Sequence, residues 1–200
     1  MRRWLTIACV AVALQAAAQE FPFEYWHEGK MVLEGGDTLR GLVKYNLQTD
    51  LLQLQGNNTI ETYTARKVLF FEIFDQTVKR YRQFFSLPYS ANTDYKAPVF
   101  FELLEEGKLT VLCREALEYR TISSFYYYGT YTRLVLVNKY FLLDEDGTII
   151  EFQGKKNDWL YLMGKHSEDV QKYARTNRLD FDDKYELGKI IAYYNSLQKK

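Results

Sequence analysis

The sequence predicts an α+β protein in which a mainly antiparallel β-barrel or sandwich is followed by a C-terminal helical segment packed on it. Up to Phe152, apolar residues alternate or form short runs separated by Gly, Asp and Asn, which is typical of strands joined by hairpins. Beyond Gly154, they recur at spacings of three and four, which is typical of helices. Parallel strands would need helical crossovers, and the pattern shows none before Gly154.

Residues 1–18 have the three parts of a secretory signal peptide. Arg2 and Arg3 form a positive start, Trp4–Leu14 an apolar centre too short for a stable membrane anchor, and Ala16–Ala18 the small residues of a cleavage site. We therefore expect export to the periplasm, the outer membrane or the exterior, with no transmembrane span in the mature chain. The mature chain then has a β-rich region, residues 19–154, and a helical segment of the same domain, residues 155–200.

Turn chemistry predicts two hairpins within the β-rich region. Gly35–Thr38 separates two strand-like runs, and Asp146 with Gly147 separates the apolar run 134–143 from the run 148–152. Glycine accepts the positive φ that a tight turn needs. Val68–Phe74 is almost continuously apolar, so we expect a central strand covered on both faces.

Three helices are predicted after Gly154. Asn157 or Asp158 is expected to cap the first helix, which Gly164 ends, and the second is expected after Ser167. Asp183 is expected to cap the last helix, with Glu186 as its capping-box partner. One face of that helix carries Leu187, Ile190, Ile191, Tyr194 and Leu197. We expect this stripe to lie against the sheet; a docking face for a partner helix is the alternative.

Charge and cysteine content narrow the range of functions. The chain has 26 basic and 26 acidic residues, and removal of residues 1–18 leaves a formal net charge of −2. A near-neutral chain without a basic stripe is not expected to bind nucleic acid. Lys79, Arg80 and Arg82 are predicted to form a solvated strand face. Cys113, the only cysteine after cleavage, is predicted to be a buried small hydrophobe.

Motifs for the common enzyme classes are not found in the sequence. Only His27 and His166 could serve as imidazole bases, and neither accompanies a nucleophile elbow, a zinc motif or a phosphate-binding loop. His27 is predicted on an edge strand. We expect no metal, no cofactor and no catalytic residue. Carboxylates that could form a hydrolase site are nevertheless available at Glu102, Glu105, Glu151 and Asp158.

An aromatic cluster at 125–131 is the one compositional feature that suggests a ligand. Exposed tyrosines can stack on sugar rings or peptides, whereas the same residues also pack well in strands. Tyr126, Tyr128 and Tyr131 are therefore the candidate ligand-binding residues. Ordinary strand packing is the alternative interpretation.

Several segments together resemble a group of small, secreted, uncharacterised proteins of Bacteroidota. These are the segment 36–45 (Gly-Asp-Thr-Leu-Arg-Gly-Leu-Val-Lys-Tyr), the run 65–68 leading into Phe70 and Phe71, the phrase 100–104 with Gly107, and Tyr194 with Asn195. The resemblance implies a cell-envelope or secreted location and no particular activity. Our leading hypothesis is a non-enzymatic module that binds or scaffolds an envelope protein or a glycan. The alternatives are a glycan or peptide binder that uses the tyrosine cluster, and a hydrolase built on carboxylates.

Overall fold

The structure is a computed structural model that describes residues 22–56, 59–91, 95–124 and 129–198. Within these ranges, the strands are β1 (His27–Leu33), β2 (Thr38–Asn46), β3 (Leu51–Gly56), β4 (Thr59–Thr64), β5 (Val68–Asp75), β6 (Arg80–Tyr89), β7 (Ala97–Glu105), β8 (Thr110–Ser124), β9 (Gly129–Leu143) and β10 (Ile149–Phe152). The α-helices are α1 (Lys156–Leu162), α2 (Ser167–Thr176) and α3 (Lys184–Leu197). The α+β class with mainly antiparallel strands is confirmed.

All described strands belong to one antiparallel sheet with the order β10-β9-β8-β7-β6-β5-β1-β2-β3-β4. The order is open, with β10 and β4 at the edges, so these strands do not close into a barrel. The sheet nevertheless curls, as the distances between aromatic rings indicate. The ring of Tyr45 on β2 lies 5.6 Å from the rings of Phe84 on β6 and Phe100 on β7. Neither β6 nor β7 is a sheet neighbour of β2.

Both predicted hairpin turns are present. Gly36 between β1 and β2 has φ +91°, and Gly147 between β9 and β10 has φ +80°. β5 lies near the middle of the sheet as predicted, with Val68, Phe71 and Ile73 buried. Its other face is not fully covered, because Leu69 is 49% exposed. The predicted edge position of His27 is wrong, since β1 pairs with β2 and β5 and His27 is buried.

The helices begin close to the predicted residues, with two differences in capping. Lys155 is the N-cap of α1, and its backbone N–H donates to the Asp158 carboxylate, so Asp158 stabilises the helix start from the third position. Asp183 caps α3 as predicted and accepts hydrogen bonds from the N–H groups of Tyr185 and Glu186. The Glu186 carboxylate, however, accepts from Asp180 N–H and does not complete a capping box.

Apolar side chains pack in three clusters. The first fills the curl of the sheet around Met31, Phe71 and Phe84. The second joins the helices to one face of β7–β10 and contains Trp159 and the predicted α3 stripe, with Val111 as its buried sheet residue. The third lies on the opposite face of the same strands around Phe101, Leu112 and Phe141. Alternation sends Val111 and Leu112 to opposite faces, so β8 contributes to both clusters.

The hairpin of β8 and β9 extends beyond the rest of the sheet. β7 pairs with residues 111–113 of β8, and β10 pairs with residues 140–143 of β9, whereas β8 and β9 pair with each other along their whole length. We call the segments 114–124 and 129–139 the arm. No helix in the described part of the chain is long and apolar enough to cross a membrane.

Candidate functional site

The predicted tyrosine cluster is only partly within the described residues. Tyr131 lies on β9 in the arm, opposite Ile122 of β8, and is 49% exposed. Tyr126 and Tyr128 lie outside the described residues. The ligand-binding role of all three therefore stays a prediction.

Three of the four candidate hydrolase carboxylates are dispersed, whereas Glu105 lies on β7 with Glu102. Glu102 is buried on β7, Glu151 is exposed on β10, and Asp158 accepts the hydrogen bond that starts α1. Each of these groups belongs to a different part of the fold. A pair of facing carboxylates, as glycoside hydrolysis needs, is not formed by these three residues.

Glu102 instead belongs to a buried ionic network, which we define as Asp75, Arg82, Glu102, Glu115 and Lys184. The guanidinium of Arg82 donates twice to Glu102, with Nε–Oε1 2.9 Å and Nη2–Oε2 2.7 Å. It also lies 3.1 Å from Asp75 and 2.9 Å from Glu115. Lys184 Nζ donates to Glu102 at 2.8 Å and to Glu115 at 2.6 Å. The predicted solvated strand face is thus wrong for Arg82.

The ionic network favours the charged forms of Glu102 and Lys184. Burial alone would raise the pKa of Glu102, but the charges of Arg82 and Lys184 lower it below the usual value. Burial opposes the charge of Lys184 as well, yet Glu102 and Glu115 raise the pKa of this amine above its usual value. Neither Glu102 nor Lys184 is therefore suited to exchange protons near neutral pH. The network fastens the first residue of α3 to β5–β8.

Cys113, next to this network, is buried as predicted. Burial raises the pKa of its thiol, which disfavours the thiolate that a nucleophile or metal ligand requires. Among the described residues, no group of three or more His, Cys, Asp or Glu side chains is placed to hold a metal ion.

A surface groove on the face of the sheet opposite the helices is the strongest candidate for a binding site. We call it the outer groove; it has a volume of about 580 Å³, within the range of small-molecule pockets. Its lining residues are Phe85, Leu87, Leu103, Glu106, Gly107, Lys108, Thr110, Leu112, Leu143, Asp144, Glu145 and Asp146.

The floor of the outer groove is apolar because strand alternation sends leucine and phenylalanine side chains to this face. Leu103 pairs with Leu112 across β7 and β8, and Phe85 of β6 continues the same surface. The floor adjoins the third apolar cluster. Leu112 is almost fully buried, whereas Leu87 and Leu103 are half-buried and available to a ligand.

The first wall of the outer groove is the turn 106–108, which helix α3 holds in place. Asn195 accepts a hydrogen bond from Leu109 N–H at 2.9 Å and donates to the Leu109 carbonyl at 3.0 Å. Gly107 passes so close to this amide that a Cβ there would lie 2.5 Å from Asn195 Nδ2. A side chain at position 107 would therefore displace either the turn or the Asn195 side chain that holds it.

The second wall is the turn 144–146, which is fixed from within. The Asp144 carboxylate accepts hydrogen bonds from the N–H groups of Asp146 at 3.0 Å and Thr148 at 2.7 Å. Lys108 and Glu145 join the two walls through an exposed ion pair of 2.8 Å. Both walls thus have a defined shape without a ligand, and a preformed site loses less entropy on binding.

The rim of the outer groove is acidic. Four of its lining residues are Glu106, Asp144, Glu145 and Asp146, and Lys108 is the one cation among those that line it. The carboxylates of Glu106 and Asp146 form no hydrogen bond or ion pair with any residue in the described ranges. An apolar floor with unpaired carboxylates above it suits a ligand that combines an apolar body with a positive charge.

Sequence reasoning did not identify the outer groove. The sequence predicts a turn at Asp146 and Gly147, which is correct for the backbone but leaves out the side chains of Glu145 and Asp146. The first wall, the turn 106–108, comes from residues nearly 40 positions earlier in the chain, and Asn195, which fixes it, is more distant still. The alternation of leucines on β6, β7 and β8 was the sequence feature from which the apolar floor of the groove could have been predicted.

Comparison with models of protein families, with curated proteins and with solved structures found no match.

Proposed function

We propose that the protein is an exported, non-enzymatic binding module of the bacterial cell envelope, and that the outer groove holds an apolar segment that carries a cationic group. The observation on which this proposal depends is the preformed apolar floor beneath an acidic rim. An extended peptide with basic and apolar side chains, as on an envelope partner protein, has this chemistry. Periplasmic, outer-membrane-associated and secreted locations all agree with it.

Export is supported by the signal-peptide pattern in residues 1–18 and by the resemblance to secreted proteins of Bacteroidota. A binding role is supported by the chemistry of the groove, whose charged groups are turn carboxylates and one paired lysine. These groups suit recognition of charge. The curl of the sheet, with β2 against β6 and β7, supports a sandwich-like arrangement as the rigid frame beneath the groove.

A pair of peptides tests the proposal on the mature chain, residues 19–200. Both peptides carry the same apolar residues; one ends in lysines and the other in glutamates. We expect only the lysine peptide to bind in isothermal titration calorimetry. Leu87→Lys places a charge in the floor of the groove. It should lower the affinity for the lysine peptide about tenfold or more, because the apolar residues of the bound peptide would have to bury that charge.

Leu42→Lys is the matched control, since Leu42 is a 38% exposed leucine outside the outer groove and should leave the affinity unchanged. Reversal of the rim charge through Glu106→Lys with Asp146→Lys should reverse the preference between the two peptides. Equal binding of both peptides, or equal effects of Leu87→Lys and Leu42→Lys, would contradict the proposal.

A second candidate function is glycan or peptide binding by Tyr126, Tyr128 and Tyr131, which the exposure of Tyr131 on the arm favours. Tyr119, 78% exposed on the opposite face of the arm, provides a control residue. The carboxylate-based hydrolase is less favoured, because Arg82 and Lys184 keep Glu102 ionised and unable to act as a general acid.

A further inference from the structure

The outer edge of β9 in the arm has backbone groups that point away from β8. Asp144 N–H donates to the Thr148 carbonyl in the turn to β10, so Asp144 faces the β10 side. In an antiparallel ladder this direction alternates with every residue, and the β8–β9 register is unbroken from 143 to 129. The N–H and C=O groups of residues 130, 132, 134, 136 and 138 therefore face outward. β10 pairs only with residues 140–143 and does not cover them.

The side chains along this edge lack the usual protection against pairing. Leu134, Val135, Leu136 and Val137 are consecutive and all half-buried, so aliphatic surface is available on both faces of the strand. Sheet edges are normally protected by charges, proline or bulges. Arg133 and Lys139 are the only charged residues from 129 to 139, none lies between 134 and 138, and the stretch has no proline.

We propose that this edge pairs with the same edge of a second copy of the chain. The two edges run antiparallel, and a two-fold axis passes between the two copies of Leu134. The uncovered stretch runs from 129 to 139, and its midpoint is Leu134, so this register pairs the whole stretch without reaching β10 of either copy. Leu134 faces outward, which makes the central pair a hydrogen-bonded one. Interfaces of this isologous kind are the commonest in homo-oligomers.

The register is also complementary in its side chains. Tyr131 comes opposite the partner's Val137, an aromatic and β-branched pair that stabilises sheets, and Thr130 comes opposite the partner's Asn138. Within one chain, Arg120 and Arg133 lie opposite each other, which is unfavourable. In the dimer, the partner's Arg133 lies opposite Val135, in the same row as Glu118 of the first chain. The second copy thus brings these two opposite charges into the same row, two strands apart.

Light scattering on the mature chain, residues 19–200, should give twice the monomer mass. Leu134→Lys would place two ammonium groups opposite each other on the axis, so this variant should be monomeric. Thr121→Lys changes an exposed residue on β8 of the same hairpin and should remain dimeric. The proposal would be overturned by a wild-type chain that is monomeric at every concentration, or by a Leu134→Lys variant that is dimeric. Binding of an unrelated peptide to the edge of a monomeric wild-type chain would not restore it.

Cysteine trapping tests the register. Across the axis, the Cα atoms of Leu134 and its copy should lie about 5.5 Å apart, within disulfide range, so Leu134→Cys should form a covalent dimer on mild oxidation. Leu136→Cys is the matched control: it has the same residue type, face and burial, but should lie about 14 Å from its own copy. Native Cys113 is buried and should not react. Equal crosslinking of the two variants would overturn the two-fold register.

Discussion

Lys184 attaches the first turn of α3 to the sheet. Its ammonium group is buried and lies within 2.8 Å of two carboxylates. Lys184→Met would leave those carboxylates with Arg82 as their one cation in the ionic network. Removal of one partner from a buried ion pair is strongly destabilising, so we expect the free energy of unfolding in urea to fall by about 3 kcal/mol.

Lys189→Met provides the control for this prediction, because Lys189 lies on the same helix and is exposed. Its effect should stay within about 0.5 kcal/mol. Similar losses for both variants would mean that helix propensity or surface charge, and not the network, determines the stability of α3.

Individual residues were predicted well where burial alone decides their role. Cys113 and the α3 stripe were predicted from apolar periodicity; Cys113 and four of the five stripe residues are buried, and Leu197 is half-buried. Arg82 was predicted incorrectly, because a charged residue on a strand gives no sign of its partners. Its partner Glu102 lies 20 positions away on the neighbouring strand, and only the packing of α3 on the sheet brings Lys184, about 100 positions away, to the same carboxylate.

At the scale of elements, the attachment of α3 to the sheet should depend on pH. The pKa values of Asp75 and Glu102 are lowered in the folded chain, so their stabilisation is present above the ordinary carboxylate pKa of about 4 and is lost as the pH falls through the lowered values. The pKa of Lys184 is raised, so its contribution is present below about 10.4 and is lost as the pH rises through the raised value.

Urea unfolding of the wild type and Lys184→Met across this range measures the effect. The difference in unfolding free energy between them should be constant from about pH 5 to 10 and shrink toward both extremes. A difference that persists unchanged into acid would show that Glu102 does not depend on its ionic partners.

Hairpins and helix ends were the elements most accessible from sequence, because their signals are local. Gly36, Gly147 and Asp183 each act within a few residues, and each lies where the sequence predicted. The length of the arm could not be predicted, since it depends on where β7 and β10 stop pairing with β8 and β9. The roles of Asp158 and Glu186 differ from the prediction because each carboxylate accepts from another nearby backbone group. Asp158 accepts from Lys155 N–H, and Glu186 accepts from Asp180 N–H.

At the scale of the molecule, one sheet serves two separate purposes. The face of β7–β10 that packs on the helices forms a core closed by the ionic network, whereas the opposite face leaves the outer groove open. Asn195 couples them, because it extends from α3 to the turn that forms one wall of the groove. The stability of the helical end therefore supports the shape of the proposed binding site.

The most direct test of an exported binding module is photo-crosslinking in the producing cell. A photoreactive amino acid at Leu87 in the groove floor is compared with the same amino acid at Leu42, and the fractionated products are weighed by mass spectrometry. We expect a chain that begins at Gln19 in the exported fraction, with a specific adduct from position 87 only. An unprocessed chain in the cytoplasm, or the same adducts from both positions, would contradict the account.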